Sequence, residues 1–341
     1  MSIKKVARSA GVSIATVSRF FSKPNLLKKE TYEKVKKAVD AVNYKPNTLA
    51  QNFRRGKSGL IVVVVYNIGN PVYENFTHII TRIAQAKGYD VLIKESSKTH
   101  LTVKYYQDML NSKQADGLIV MTDLPHTHHK SREVLNSLPI VFIDGGNNTK
   151  DNSLPQYIGL DNYEASMSAT NHLLSLGHKH IACISPEELN NAYVQRIKGY
   201  TAAIERMQLK TSSVLYTRQN PNNLESLLEH IISVSPPFTA IFCTDDDIAI
   251  DIIPLLKSQG QKVPEHISVM GFNNIRYAAK TSPPLTTVEL PLADVAFQAI
   301  QLLCTKIDPS CQPNDNDNTN IINTPSRHQL ILRATTSTPP I

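Results

Sequence analysis

The side chains best suited to chemistry lie near the start of the chain, in a segment that predicts two short helices joined by a tight turn. Gly11 supplies the turn because it has no Cβ, and Ser13 is a natural cap for the second helix. That second helix would present hydroxyl, small apolar and guanidinium groups to solvent, namely Ser13, Ile14, Ala15, Thr16, Ser18 and Arg19. Arginine can donate two hydrogen bonds to guanine, apolar groups can pack on a thymine methyl, and hydroxyls can bind phosphates. The segment therefore predicts a helix-turn-helix that reads DNA.

The charge distribution favours the same interpretation. Residues 1–60 carry 14 Lys and Arg residues against 3 Asp and Glu residues, a net charge of +11, whereas the whole chain has a net charge of +7. The remaining residues therefore sum to −4. A basic segment joined to a slightly acidic remainder is typical of a phosphate-binding module fused to a domain with another task.

The elements that would position these side chains form a small helical head. Val6, Ala10 and Val17 give apolar faces to the first two helices. Residues 30–42 predict a third helix, which we expect to end at Asn43 in the left-handed conformation. The three helices would hold the exposed row of the second helix away from a shared core.

The rest of the chain alternates strand and helix patterns. Apolar runs rich in β-branched residues predict strands that include 60–66, 117–121, 180–185 and 239–243. Two such series of similar length imply two open parallel sheets with helices on both faces. The predicted fold class is α/β, with an all-α head and a two-lobed body. Pro254 should kink the helix predicted at 246–259 or make it start late.

Polar and aromatic side chains stand at the predicted carboxyl ends of the strands. Ligands bind outside these ends in open α/β sheets, and two facing lobes form a cleft from two such edges. The candidate effector-binding residues at these ends are Tyr66, Tyr73, Asp144, Arg196, Asp246 and Asn273.

Composition and motifs argue against an enzyme, a membrane protein and a secreted protein. The longest apolar run, residues 60–65, is too short to span a bilayer, and no signal peptide precedes the first helix pattern. The four cysteines form no CxxC pair, and no dinucleotide, P-loop or hydrolase motif is present. Three aspartates at 245–247 could hold a cation, but carboxylates at that place usually cap the helix. The histidines at 126, 128 and 129 lack a spaced fourth ligand. We therefore expect a cytoplasmic protein with no catalytic residue, metal or cofactor.

The chain resembles the LacI/GalR repressor family along most of its length. The motifs that carry the resemblance are VARSAGVSIATVSR at 6–19, DGLIV at 116–120, GLDNYEA at 159–165, TAIFCTDD at 239–246 and VPEHISVMGF at 263–272. The resemblance implies a periplasmic-binding-protein-like body whose chain crosses between the lobes near Pro291 and Arg327. The resulting domains are a head at 1–46, a hinge helix and linker at 47–58, and a body at 59–341. Lobe 1 would comprise about 59–157 and 292–325, and lobe 2 about 158–291 and 326–341.

Within the head, the resemblance assigns individual roles to the exposed row. Ile14, Ala15 and Arg19 match positions that contact base edges, whereas Thr16 and Ser18 match positions that bind phosphates. Ile14 could instead cover the core of the head. Because a two-fold protein needs a two-fold site, the implied partner is double-stranded DNA carrying a palindromic operator, bound by a homodimer.

The hinge differs from the family pattern at one position. Phe53 stands where the family has a leucine, two copies of which wedge into the minor groove at the operator centre. We expect Phe53 to enter the base stack with Ala50 beside it, in a DNA-binding segment that includes Arg54. Alternatively, the hinge docks without insertion. A helix of about two turns is marginal alone in water, so the hinge should order only against a partner.

The cleft also differs from the family pattern, at Asn273, where the family usually has aspartate. Asparagine offers one acceptor and two donors without charge, so the effector class cannot be carried over from the family. FIDGG at 142–146 and the region 183–196 most resemble the cytidine-responsive branch, which favours a nucleoside or sugar effector. One alternative remains, a regulator controlled by a protein co-regulator with no small-molecule effector. A periplasmic solute-binding protein would share the two lobes, but it would need a signal peptide and would lack a basic head.

Overall fold

The structure, a computed structural model, describes residues 2–22, 24–44, 56–96, 102–122, 129–143, 157–187, 190–209, 212–217, 221–310 and 327–340. The chain divides into two units, Met1–Gly59 and Leu60–Ile341, which we describe separately. In these described ranges, no helix combines the length and the apolar character that crossing a membrane requires.

The first unit contains the predicted helix-turn-helix. Its helices are α1 (Ile3–Ala10), α2 (Ile14–Ser22) and α3 (Lys29–Ala41), with a 3-10 turn at Pro24–Leu26 between the last two. Gly11 joins α1 to α2 with a φ of 63°, and Asn43 follows α3 with a φ of 44°. Both angles lie in the left-handed region, which confirms the turn predicted at Gly11 and the left-handed conformation predicted at Asn43. The buried core of the unit consists of Val6, Ala7, Val17, Val35 and Ala38.

The second unit begins with a five-stranded parallel sheet in the order β2-β1-β3-β4-β5. Its elements along the chain are β1 (Leu60–Val65), α4 (Pro71–Ala86), β2 (Asp90–Glu95), α5 (Val103–Asn111), β3 (Gly117–Met121), α6 (His129–Ser137), β4 (Ile140–Ile143) and β5 (Tyr157–Ile158). β1, β3 and β4 are buried almost throughout, because helices cover both faces of a parallel sheet.

A second parallel sheet follows, with four strands in the order β7-β6-β8-β9. Its elements are α7 (Asn162–Ser175), β6 (Ile181–Pro186), α8 (Asn191–Arg206), β7 (Ser212–Thr217), α9 (Pro221–Ser233), β8 (Ala240–Cys243), α10 (Asp246–Ser258) and β9 (Ser268–Met270). The two parallel sheets confirm the predicted α/β body.

The chain then returns to the first sheet. β10 (Thr287–Glu289) pairs antiparallel with β11 (Gln329–Ile331), and between them α11 (Leu292–Ile307) packs on the first sheet. The closeness of this packing is clear at Gly117, where an added Cβ would come within 2.8 Å of the side chains of Leu303 and Ile307.

Pro254 does not make its helix start late, so that alternative was wrong. α10 begins at Asp246 and continues through Pro254 to Ser258. Asp245 caps the helix, since its side chain accepts a hydrogen bond from the Asp247 N–H. Pro254 itself is exposed, so water can solvate the backbone carbonyl whose helical partner proline removes.

Candidate functional site

The first candidate site is the exposed side of α2. Ser13 caps this helix: its Oγ accepts from the Thr16 N–H at 3.1 Å and lies 2.9 Å from the Thr16 hydroxyl. Val17 is fully buried and fixes the orientation of the helix. The side chains that remain exposed are Ser13, Ile14, Ala15 and Arg19, with Thr16 and Ser18 half-buried.

Ile14 lies on the outside of this helix. It is 40% exposed and does not belong to the core cluster of the head. This placement favours the interpretation of Ile14 as a contact residue over the alternative that it covers the core. An exposed isoleucine beside Ala15 and Arg19 offers both apolar contact and a bidentate donor to a base edge.

The second candidate site is a polar network at the carboxyl ends of the strands of the second sheet, centred on Arg196 of α8. Arg196 is only 4% exposed. Its Nε donates to Asn162 Oδ1 (2.8 Å), its Nη1 to the Thr244 carbonyl oxygen (2.7 Å) and its Nη2 to Asn273 Oδ1 (3.1 Å). The guanidinium also lies 4.0 Å from the centre of the Phe272 ring, a cation–π contact. The network thus ties α7 and α8 to the ends of β8 and β9.

The loop after β9 holds Asn273 against Arg196. Asn273 has a φ of 104°, a conformation that favours glycine, and its N–H donates to the Val288 carbonyl oxygen at 2.8 Å. The next residue, Asn274, has a φ of 47° and accepts a hydrogen bond of 2.7 Å from Arg333. These contacts fix the backbone on both sides of Asn273, whose side-chain oxygen accepts from Arg196 Nη2.

Asp246 lies behind this loop. It is fully buried, and its two oxygens accept hydrogen bonds from the Ile275 N–H (2.9 Å) and the Thr287 hydroxyl (2.6 Å). Burial raises the pKa of Asp246 to about 8, although these hydrogen bonds oppose the shift. A direct contact between Asp246 and an effector stays a prediction. The placement favours a positioning residue for the loop that carries Asn273.

Asp245 is a functional candidate that the sequence analysis interpreted as a helix cap in preference to a cation ligand. The capping prediction is confirmed. In addition, Asp245 Oδ2 accepts from the Tyr193 hydroxyl at 3.0 Å and from Asn70 Nδ2, in the other lobe, at 3.3 Å. Burial, followed by the charge of Asp245, raises the pKa of Tyr193 well above its usual value. The run of three aspartates at a strand end was the only sequence signal for this carboxylate.

A second contact joins the lobes near the start of α4. Arg276 Nη1 lies 3.0 Å from Glu74 Oε1, and both side chains are more than half exposed. A solvated ion pair of this kind contributes about 0–1 kcal/mol.

Two predicted effector-binding residues, Tyr66 and Tyr73, are half-buried. Tyr66 directly follows β1, and Tyr73 lies in the first turn of α4.

Some predicted site residues lie outside the described residues: Asp144 of the cleft and Ala50, Phe53 and Arg54 of the hinge. Among the residues that the structure does describe, no group of three or more His, Cys, Asp or Glu side chains could hold a metal ion.

A helix-turn-helix head with an exposed polar row, followed by a two-lobed parallel-sheet body with a buried polar network at its strand ends, defines a DNA-binding regulator. The comparisons with known proteins agree. Residues 2–47 match the family described as bacterial regulatory proteins, lacI family, and residues 170–336 match the periplasmic binding protein-like domain. The chain belongs to the LacI family and is a DNA-binding transcriptional repressor, not an enzyme.

The similarity to individual relatives extends along most of the chain. It is 31% identical over 308 residues to the HTH-type transcriptional repressor PurR of Vibrio atlanticus, covering 89% of this chain and 91% of that protein. It is 32% identical over 305 residues to the repressor CytR of Escherichia coli K12, covering 88% of each. The lac repressor dimer bound to operator and the anti-inducer ONPF has the same fold, with a TM-score of 0.81, 21% identity and 99% coverage of both chains.

Proposed function

We propose that two copies of this chain bind a palindromic operator through α2, and that a nucleoside or sugar between the lobes controls this binding. Operator recognition by α2 is supported by the exposure of Ile14, Ala15 and Arg19 on a helix whose Val17 is buried in the core of the head. The effector can shift the DNA-binding population only by binding the two conformations with different affinity.

The hinge completes the operator contact in this proposal. Phe53 opens the central base step, Ala50 packs beside it and Arg54 adds a cationic contact to the same segment. The family resemblance supports these assignments, and DNA bending by the full chain compared with Phe53→Ala measures the wedge.

The effector proposal is tested by a thermal-shift screen of the full chain against nucleosides, purines, pentoses and hexoses. A ligand at about one hundred times its Kd adds about 2.7 kcal/mol to the folded state, so a true effector raises the Tm. A compound that raises the Tm and changes operator affinity supports the proposal. A screen without any such compound favours the alternative, in which a protein co-regulator takes the place of the small molecule.

Arg19→Ala should weaken operator binding by about 1–3 kcal/mol and relax the preference at one base pair, because one bidentate contact is lost. Fluorescence anisotropy with the operator and with its single-base variants measures both effects. Arg8→Ala is the matched control, since Arg8 is an exposed arginine on α1. It should change affinity for all sequences alike. An equal loss of specific and nonspecific binding by Arg19→Ala would make Arg19 a phosphate contact.

The dimer proposal has a candidate surface at the edge of the first sheet formed by β2, as the described residues define that sheet. β2 is the edge strand, and its Leu92 and Ile93 are 51% and 37% exposed. Unpaired edges with apolar side chains tend to pair with another chain.

Leu92→Lys should therefore shift the protein from dimer to monomer in sedimentation velocity and lower operator affinity at least tenfold. Met207→Lys is the control, because Met207 is also highly exposed but follows α8 in the other lobe. A Leu92→Lys protein that sediments as a dimer would remove β2 from the interface.

A further inference from the structure

We propose that the effector carries an anionic group, a phosphate monoester or a carboxylate, that pairs with Arg196, and that Asn273 makes the cleft selective for it. This inference rests on the proposed small-molecule effector and specifies its charge. Arg196 is a buried cation whose hydrogen-bond partners among the described residues are uncharged.

The three hydrogen bonds of Arg196 all go to uncharged oxygens. They belong to the amides of Asn162 and Asn273 and to the Thr244 backbone, and one face of the guanidinium is covered by Phe272. Within the described residues, Arg196 makes no ion pair. A buried charge is costly unless an opposite charge compensates for it. Three of the five N–H groups of the guanidinium are used in these contacts, which leaves donors for a further partner.

The neighbouring aspartates do not supply the missing charge at hydrogen-bonding distance. The oxygens of Asp246 accept hydrogen bonds from Thr287 and Ile275, and burial raises the pKa of Asp246 to about 8, which favours its neutral form. Asp245 is held by the Tyr193 hydroxyl and Asn70. The Tyr193 ring, 5.5 Å from the guanidinium, contacts both charged groups. Asp245 therefore acts on Arg196 only at longer range.

Position 273 is where a negatively charged side chain could neutralise the charge of Arg196. Asn273 Oδ1 is 3.1 Å from Arg196 Nη2, so an aspartate of the same shape would form a buried ion pair there. The amide leaves the charge of Arg196 available to the ligand. Arginine binds phosphate and carboxylate through paired N–H donors, which suits both anion classes.

The test is calorimetric titration of the full chain with matched ligand pairs: ribose and ribose 5-phosphate, cytidine and cytidine monophosphate, and glucose and glucuronate. We expect an anionic member to bind at least tenfold more tightly than its neutral partner. The first two pairs test a phosphate and the third a carboxylate. Tighter binding of the neutral members would overturn the charge inference but support the proposed effector. Failure of every compound to bind would overturn both.

Variants at Asn273 test the origin of the selectivity. Asn273→Asp should lower affinity for the anionic ligand at least tenfold, because the new carboxylate takes its place beside Arg196. Asn273→Gly suits the φ of 104° and stays neutral, so it should retain the preference for anions. Asn111→Asp adds the same charge at an exposed site on α5 and should leave affinity within about twofold. If Asn273→Asp binds the anion as the parent does, Asn273 does not determine the selectivity.

Discussion

Replacing Asp246 by asparagine should remove a large part of the pH dependence of folding between about pH 4 and pH 8. Burial raises the pKa of Asp246 from 3.8 to about 8 in the folded protein. An acid with a raised folded pKa keeps its proton while the unfolded chain loses it. The contribution to stability is therefore complete below the unfolded pKa and is lost as the pH rises toward 8. At about 1.4 kcal/mol per pKa unit, the loss is on the order of 5 kcal/mol.

Urea unfolding of the parent and Asp246→Asn at pH 5, 6.5 and 8 measures this effect. The amide matches the carboxyl in shape and can bond to the Thr287 hydroxyl, so the variant should fold. We expect its free energy of unfolding to exceed that of the parent by an amount that grows with pH. Asp90→Asn, at the exposed start of β2, should follow the parent curve. Parallel curves for Asp246→Asn and the parent would show that Asp246 is ionised throughout.

Much of the fold was predictable because short-range patterns of apolar and polar residues determine the strands and helices. The continuous apolar run at 117–121 is β3 with unchanged bounds, since a strand buried on both faces needs no other side-chain type. Helix ends were predicted less accurately than this strand. α3 begins at Lys29, one residue before the predicted start, and has no side-chain cap. The return of α11 to the first sheet came from the family resemblance, because no local pattern indicates which sheet a helix will join.

The sequence pointed to part of the polar network but not to all of its members or to their arrangement. Arg196 and Asn273 were both predicted for the cleft, and the structure joins them by a hydrogen bond. The sequence did not show that Asp245 contacts the other lobe whereas Asp246 binds the loop after β9. This difference depends on partners far along the chain, Asn70 for Asp245 and Thr287 for Asp246. Successive residues at a helix start point in different directions, and only the tertiary fold decides what each one meets.

Adding one methyl group at Gly199 should destabilise the protein and disturb the cleft together. Gly199 lies where α8 crosses α7, and an added Cβ would overlap the Tyr163 carbonyl oxygen and lie 3.0 Å from the Met167 nitrogen. Both are backbone atoms of one helix, so the helices must separate instead of a side chain turning aside. Overpacking typically costs about 1–3 kcal/mol, and we expect Gly199→Ala to reach the upper end of that range.

The same separation acts on Arg196, one helical turn before Gly199. Arg196 bonds to α7 through Asn162 at 2.8 Å, and its own carbonyl oxygen accepts from the Ser166 hydroxyl at 2.5 Å. Urea unfolding should therefore show a lower midpoint for Gly199→Ala, and ligand titration should show weaker binding in the cleft. Lys198→Ala, on the exposed side of the same helix, should change stability by no more than about 0.5 kcal/mol. A Gly199→Ala protein with parental stability and parental ligand affinity would mean that the close approach of α7 and α8 does not position Arg196.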